Sequence, residues 1–164
     1  MKLPDRYNKL REHWPSDEVS YGSGGIKLFG AGELENGQLG YSVAPHGNSL
    51  CSGESGAWRP NWVVIGYETG VGDPLFVDTD LATLPVFTAM HGEGAWEPVL
   101  VASSVEAFGM CVGEFARISE GRSNPVQCEA NPVSDEERTL FLRRVAELNR
   151  SSKAPEFWSV LLQC

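Results

Sequence analysis

The side chains best suited to chemistry gather in three places, and their spacing decides what each place can do. Residues 45–60, PHGNSLCSGESGAWRP, bring His46, Cys51 and Ser55 into one stretch. Nucleophilic catalysis requires such a thiol or hydroxyl within hydrogen-bond reach of a base that a third group orients. Gly53-Glu54-Ser55-Gly56-Ala57 approaches the G-x-S-x-G nucleophile elbow, but Ala57 stands at the final glycine. No strand leads into it and no helix clearly follows, so the elbow's structural context is missing. A Cys51–His46 pair rests only on closeness in sequence. Its Gly, Ser and Pro content makes the stretch a surface loop, long enough to be functional or mobile. His91, Glu93, Asp78 and Asp80 offer nitrogen and oxygen donors, yet no H-x-H or H-x-x-x-H spacing makes them a metal site. Gly22-Ser23-Gly24-Gly25 is not a dinucleotide fingerprint, because Lys27 occupies the third-glycine position and no strand is expected before it. The residues therefore assign no catalytic group, no metal ligand and no cofactor.

What remains is charge. Asp and Glu number 22 against 13 Lys and Arg, a formal net charge of −9. Such a field repels backbone phosphates, which disfavours direct nucleic-acid binding, and it accelerates encounter with a basic protein. Glu68, Asp73, Asp78 and Asp80 surround one hairpin, and Glu93 and Glu97 follow the next strand. No Lys or Arg lies between Arg59 and Arg117. Trp96, between Glu93 and Glu97, is the kind of large anchor enriched at binding hot spots. Glu68, Asp73, Asp78, Asp80, Glu93, Trp96 and Glu97 are thus the expected partner-binding residues. The plainer reading of the same residues is a solvated acidic rim with Trp96 tucked into the core.

The elements that must position them start from the hairpin at 62–80, WVVIGYETGVGDPLFVDTD. Its first strand, 62–67, has no charged residue and is rich in β-branched and aromatic side chains, which predicts a central strand covered on both faces. Gly70 and Gly72 suit a turn, and Pro74 blocks extension of the first strand. Before the hairpin, the pattern predicts a short helix over 6–14, a strand over 26–30 and another over 40–43. After it come a strand over 84–89 and a strand at 99–102 leading into a helix. Ser103 and Glu106 are spaced as a capping box for that helix, and Val105, Phe108, Val112 and Phe115 form its apolar face. Gly109 and Gly113 either permit close packing there or weaken the helix. Residues 122–132 read as a loop. Ser134 caps a further helix, and an apolar tail with Phe157, Trp158, Leu161 and Leu162 is expected to pack on its own domain.

Several of these pieces carry a family resemblance. The strand ending in Ile65-Gly66, the turn Gly70-Val71-Gly72-Asp73 and the Leu75-Phe76-Val77-Asp78 strand resemble the signature of the SUKH superfamily. Leu3-Pro4-Asp5-Arg6-Tyr7 resembles its Leu-Pro-x-x-Tyr opening, Pro85-Val86-Phe87 its Pro-Val-Tyr strand, and residues 101–108 its Ser-Phe-x-x-Phe helix. The resemblance covers about the first two-thirds of the chain. It implies an α+β fold and a protein that acts by protein–protein contact, in many members as a bacterial immunity protein neutralising a toxin, often a nuclease. It carries no catalytic constellation. The alternatives are a housekeeping regulatory domain like the yeast cell-wall-regulator branch, or a small-ligand protein or enzyme built on the 45–60 loop.

Pattern and resemblance lead to the same architecture. We expect one domain over 1–164, α+β, with a mainly antiparallel sheet of about six strands, flanking N- and C-terminal helices, and a helical extension over about 133–164. The expected partner is a basic toxin domain, with the chain a monomer or weak dimer. No run approaches the ~20 apolar residues of a membrane span, and no signal-peptide pattern opens the sequence, which points to a cytoplasmic protein. Cys51, Cys111, Cys128 and Cys164 are far apart, and in that setting they are expected to be free thiols.

Overall fold

The stretch from 62 to 78 lies at the middle of the sheet. A computed structural model describes residues 3–163, as a six-stranded antiparallel sheet with five α-helices. In chain order these are α1 (Asp5–Arg11), β1 (Glu18–Tyr21), β2 (Gly24–Leu28), β3 (Trp62–Glu68), β4 (Pro74–Asp78), β5 (Val86–Thr88) and β6 (Val99–Ala102). Then follow α2 (Val105–Ile118), α3 (Pro125–Ala130), α4 (Asp135–Asn149) and α5 (Pro155–Leu161). The strands pair in sequence order, β1 to β6, so β3 and β4 are the innermost pair. None of the described helices is long and apolar enough to cross a membrane.

Covering both faces of β3 divides the core in two. Val63 and Ile65 point into the larger part, with Leu75, Val77, Val86 and the apolar faces of the helices. Trp62 and Val64 point the other way, with Phe76, Ala89 and Trp58. The α2 residues Val105, Phe108, Val112 and Phe115 are fully buried, as the 3.6-residue period predicts. In α5, Phe157, Trp158, Leu161 and Leu162 all bury within their own domain, and the Trp158 indole N–H donates to the Val101 carbonyl on edge strand β6. Gly109 is there for close packing: a Cβ would meet Trp14 Nε1 at 2.4 Å, so its absence lets the indole lie against α2.

Local rules were overridden in several places. No regular strand forms over 40–43; Asn36–Gln38 is a 3₁₀ turn, and Leu39 and Val43 make only isolated bridges. Strand β1 precedes the Gly22 turn where none was expected, because its partner β2 supplies the ladder. Ser104, not Ser103, caps α2 by accepting from the Ala107 N–H. The Ser103 N–H is instead taken by the buried side chain of Asn149 from α4. The 122–132 segment contains α3, capped by Asn124 with Pro125 at its first turn. The 45–60 stretch belongs to the cover of the second face, to which it contributes Trp58 at 2% exposure.

The 134–137 cap forms as its spacing predicts, with Ser134 and Glu137 bonding reciprocally. The Ser134 backbone N–H, then the Arg122 guanidinium, hold the Glu137 carboxyl below its ordinary pKa of 4.5. A depressed carboxyl stabilises the fold fully above its unfolded pKa and loses that contribution as pH falls through the lower folded value. Glu137→Gln is therefore expected to flatten the dependence of unfolding midpoint on pH below 4.5. Denaturant titrations across that range check it; a slope unchanged by the substitution would contradict the linkage.

The expectation of free thiols fails at Cys128, which is buried and disulfide-bonded. Spacing along the chain does not report whether two Cα atoms come within the ~4.4–6.8 Å a disulfide needs. Cys51 and Cys111 are free, and Cys164 lies outside the described residues. A disulfide favours oxidising surroundings, so the cysteines no longer support the cytoplasmic expectation. Burial pushes the Cys111 thiol up to about 11, which leaves it inert in the folded state. Without reductant the unfolded protein is expected to show fewer than four reactive thiols, rising to four after reduction. A count of four before reduction would exclude the bond.

Candidate functional site

Site geometry follows from the two ends of the central hairpin. At its turn, the Glu68 carboxylate accepts from the backbone N–H groups of Gly70 and Val71 at 2.6 and 2.7 Å. Gly70 makes room for that carboxylate, since a Cβ would meet Glu68 Oε1 at 2.7 Å; Gly72 supplies the left-handed angle, φ +86°. Asp73 Oδ1 accepts the His91 backbone N–H at 3.0 Å and lies 2.6 Å from His91 Nδ1. These two carboxylates therefore fix the turn and tie the 89–98 loop to it.

At the opposite end of β4, Asp78 is 9% exposed and accepts from Asn61 Nδ2 and the Asp80 N–H. Asp78 pairs with Trp62 across the ladder while Pro74 pairs with Tyr67. Asp73 and Asp78 thus stand about 17 Å apart along an extended strand. The structure splits the expected acidic cluster: Glu68 and Asp73 are at the turn, Asp78 and exposed Asp80 at the far end. Glu93 and Glu97 are exposed beside Trp96.

Trp96 is half-buried and belongs to the aromatic cover of the second face. Its ring lies edge-on to Trp58 at 5.2 Å and near Tyr41 at 5.4 Å. Its backbone N–H donates to the Gly56 carbonyl, which fastens the 89–98 loop to the 45–60 segment. Trp58 also lies edge-on to Trp62 and tilted against Phe76, and its indole N–H donates to the Trp62 carbonyl. No hydrogen bond joins His46, Cys51 and Ser55 to one another; His46 and Ser55 are exposed and Cys51 packs against the aromatic cluster. Among the described residues no three His, Cys, Asp or Glu side chains gather as a metal-binding set.

Beside the turn, the sheet ends and α5 enclose a groove of about 630 Å³. Val71, Met90, Val99 and Val160 line it, and all four are exposed, Val71 to 66%. They are four of the ten large hydrophobic residues left exposed among the described residues. Phe157 and Leu161 of α5 form the base. Glu68, Asp73 and Glu156 are its charged members, and no Lys or Arg lines it among the described residues. Glu156 is exposed, and its carboxylate has no hydrogen bond or ion pair among the described residues.

Sequence reasoning found Glu68 and Asp73 but missed the apolar members. Val71, an apolar residue between Gly70 and Gly72 at a hairpin tip, was the available signal. Val99, Glu156 and Val160 carry none, because their approach to the hairpin depends on how α5 docks along β6. No family model, curated protein or solved structure matches this chain.

Proposed function

We propose that the protein is a non-enzymatic protein-binding domain whose partner docks at the turn end of the central hairpin. The groove beside the turn is the observation that carries this reading: exposed apolar side chains converge there under a carboxylate rim. That is the anatomy of a protein interface, with an apolar centre and polar edge. The net charge of −9 favours a basic partner, and the encounter rate should fall as salt rises. The motifs resembling the SUKH superfamily extend the proposal to an immunity role, in which the partner is a bacterial toxin domain, such as a nuclease, that the bound protein neutralises.

Co-purification from the native cell with identification by mass spectrometry, followed by titration of the recombinant partner, tests the binding reading. A stoichiometric complex is expected. Failure of every retained protein to form one with the purified chain would overturn the reading. Neutralisation is tested separately, by co-expression: the chain should restore growth to cells producing the partner. A partner that stays toxic when saturated would exclude the immunity role and leave the binding role standing.

A further inference from the structure

We infer that the groove at the hairpin turn seats a short segment of the partner protein that sets a lysine or arginine among apolar side chains. The inference rests on the protein-binding reading and supplies its partner chemistry. Two features of the groove specify the segment. Val71, Met90, Val99 and Val160 expose an apolar surface that only apolar side chains repay for leaving water. Glu68, Asp73 and Glu156 then place three carboxylates around it with no lining Lys or Arg among the described residues.

The carboxylates differ in what they have left to offer. Glu68 and Asp73 already hold backbone N–H groups of the turn and the 89–98 loop, so they are pre-positioned rather than mobile. Each ionised carboxylate has about four lone-pair sites, so both keep acceptor capacity. The Glu156 carboxylate, on α5 across the groove, has no hydrogen bond or ion pair among the described residues. A cation entering there meets acceptors held on the hairpin side and a free one on the helix side. Arginine or lysine alone would be screened in so open a place; apolar neighbours on the same segment exclude water and strengthen the contact.

A second copy of the chain is the competing occupant, and charge disfavours it. An isologous contact would bring the same three carboxylates together about a two-fold axis, between chains that each carry −9.

Fluorescence anisotropy with a labelled leucine–lysine peptide tests the assignment, alongside a leucine–glutamate peptide and an oligolysine of equal length. The leucine–lysine peptide should bind best and more weakly at high salt. Val160→Glu and Glu156→Lys should each weaken it at least about tenfold, or ~1.4 kcal/mol. Met110→Glu, at an exposed α2 position outside the groove, should leave it unchanged. Circular dichroism and thermal melts of each variant verify folding. Equal binding of the leucine–glutamate peptide or of oligolysine would overturn the inference, as would affinity unmoved by both groove variants. A dimer in sedimentation equilibrium that Val160→Glu dissolves would assign the groove to a second copy instead. If the identified partner still binds Val160→Glu and Glu156→Lys normally, the groove assignment falls while the protein-binding reading stands. If no partner complex forms with the wild-type chain, that reading is what fails.

Discussion

Val64→Asp is expected to leave most of the protein unfolded at room temperature. Val64 is 1% exposed on the innermost strand pair, in the cluster of Trp58, Trp62 and Phe76. The substitution forfeits about 1.5–3 kcal/mol of buried apolar side chain. It also strands a carboxyl in an apolar site, where the ionised form costs several kcal/mol and the protonated form remains a buried polar group without a hydrogen bond. Total stability of a domain this size is of order 5–15 kcal/mol, so the sum removes most of it. Val64→Ala isolates the packing loss and should cost roughly 1–3 kcal/mol. Urea unfolding followed by circular dichroism distinguishes them. A Val64→Asp midpoint equal to that of Val64→Ala would mean that β3 is not covered on its second face.

Gln38→Met is expected to destabilise by about 2–6 kcal/mol, although it removes no apolar contact and keeps the side chain's length. Strand β2 ends at Leu28, opposite Gly66, and so leaves the upstream part of β3 without a neighbour on that side. The Gln38 side chain takes the missing place. Its Oε1 accepts the Val64 N–H at 3.0 Å and its Nε2 donates to the Val64 carbonyl at 2.8 Å, both buried. One amide thus substitutes for one residue of a strand. Methionine would orphan a buried donor and a buried acceptor, each costing about 1–3 kcal/mol. Hydrogen exchange should accelerate most at Val64 and around residues 36–38, because Gln38 joins that segment to the sheet. A stability change within about 0.5 kcal/mol of wild type would show that water replaces the amide without loss.

The two substitutions also show how far the chain could be read. Val64 was legible: an uncharged run of β-branched and aromatic residues beside a glycine-bearing turn predicts a buried strand wherever it occurs. Gln38 was not legible. It lies 26 residues from its partner in a Gly- and Glu-rich stretch with no periodicity, and only the early end of β2 creates the vacancy it fills. Asn149 is similar, since its amide reaches the Ser103 N–H and displaces the capping box that spacing had placed at Ser103.

The candidate surface divides along the same line. The α+β class, the central hairpin, the buried face of α2, the Ser134–Glu137 cap and the acidic character of the chain are all readable before folding, because each follows from near neighbours or from composition. Which carboxylates lie together is set only by the tertiary packing. Asp73 and Asp78 are five residues apart, yet an extended strand sends them to opposite ends of the sheet, while Glu156 joins Glu68 and Asp73 from the other end of the chain. That packing likewise decided that Trp96 closes an aromatic cluster and that Cys128 is bonded. Strand register and helix docking set those distances, and both depend on the whole core rather than on any local run of residues.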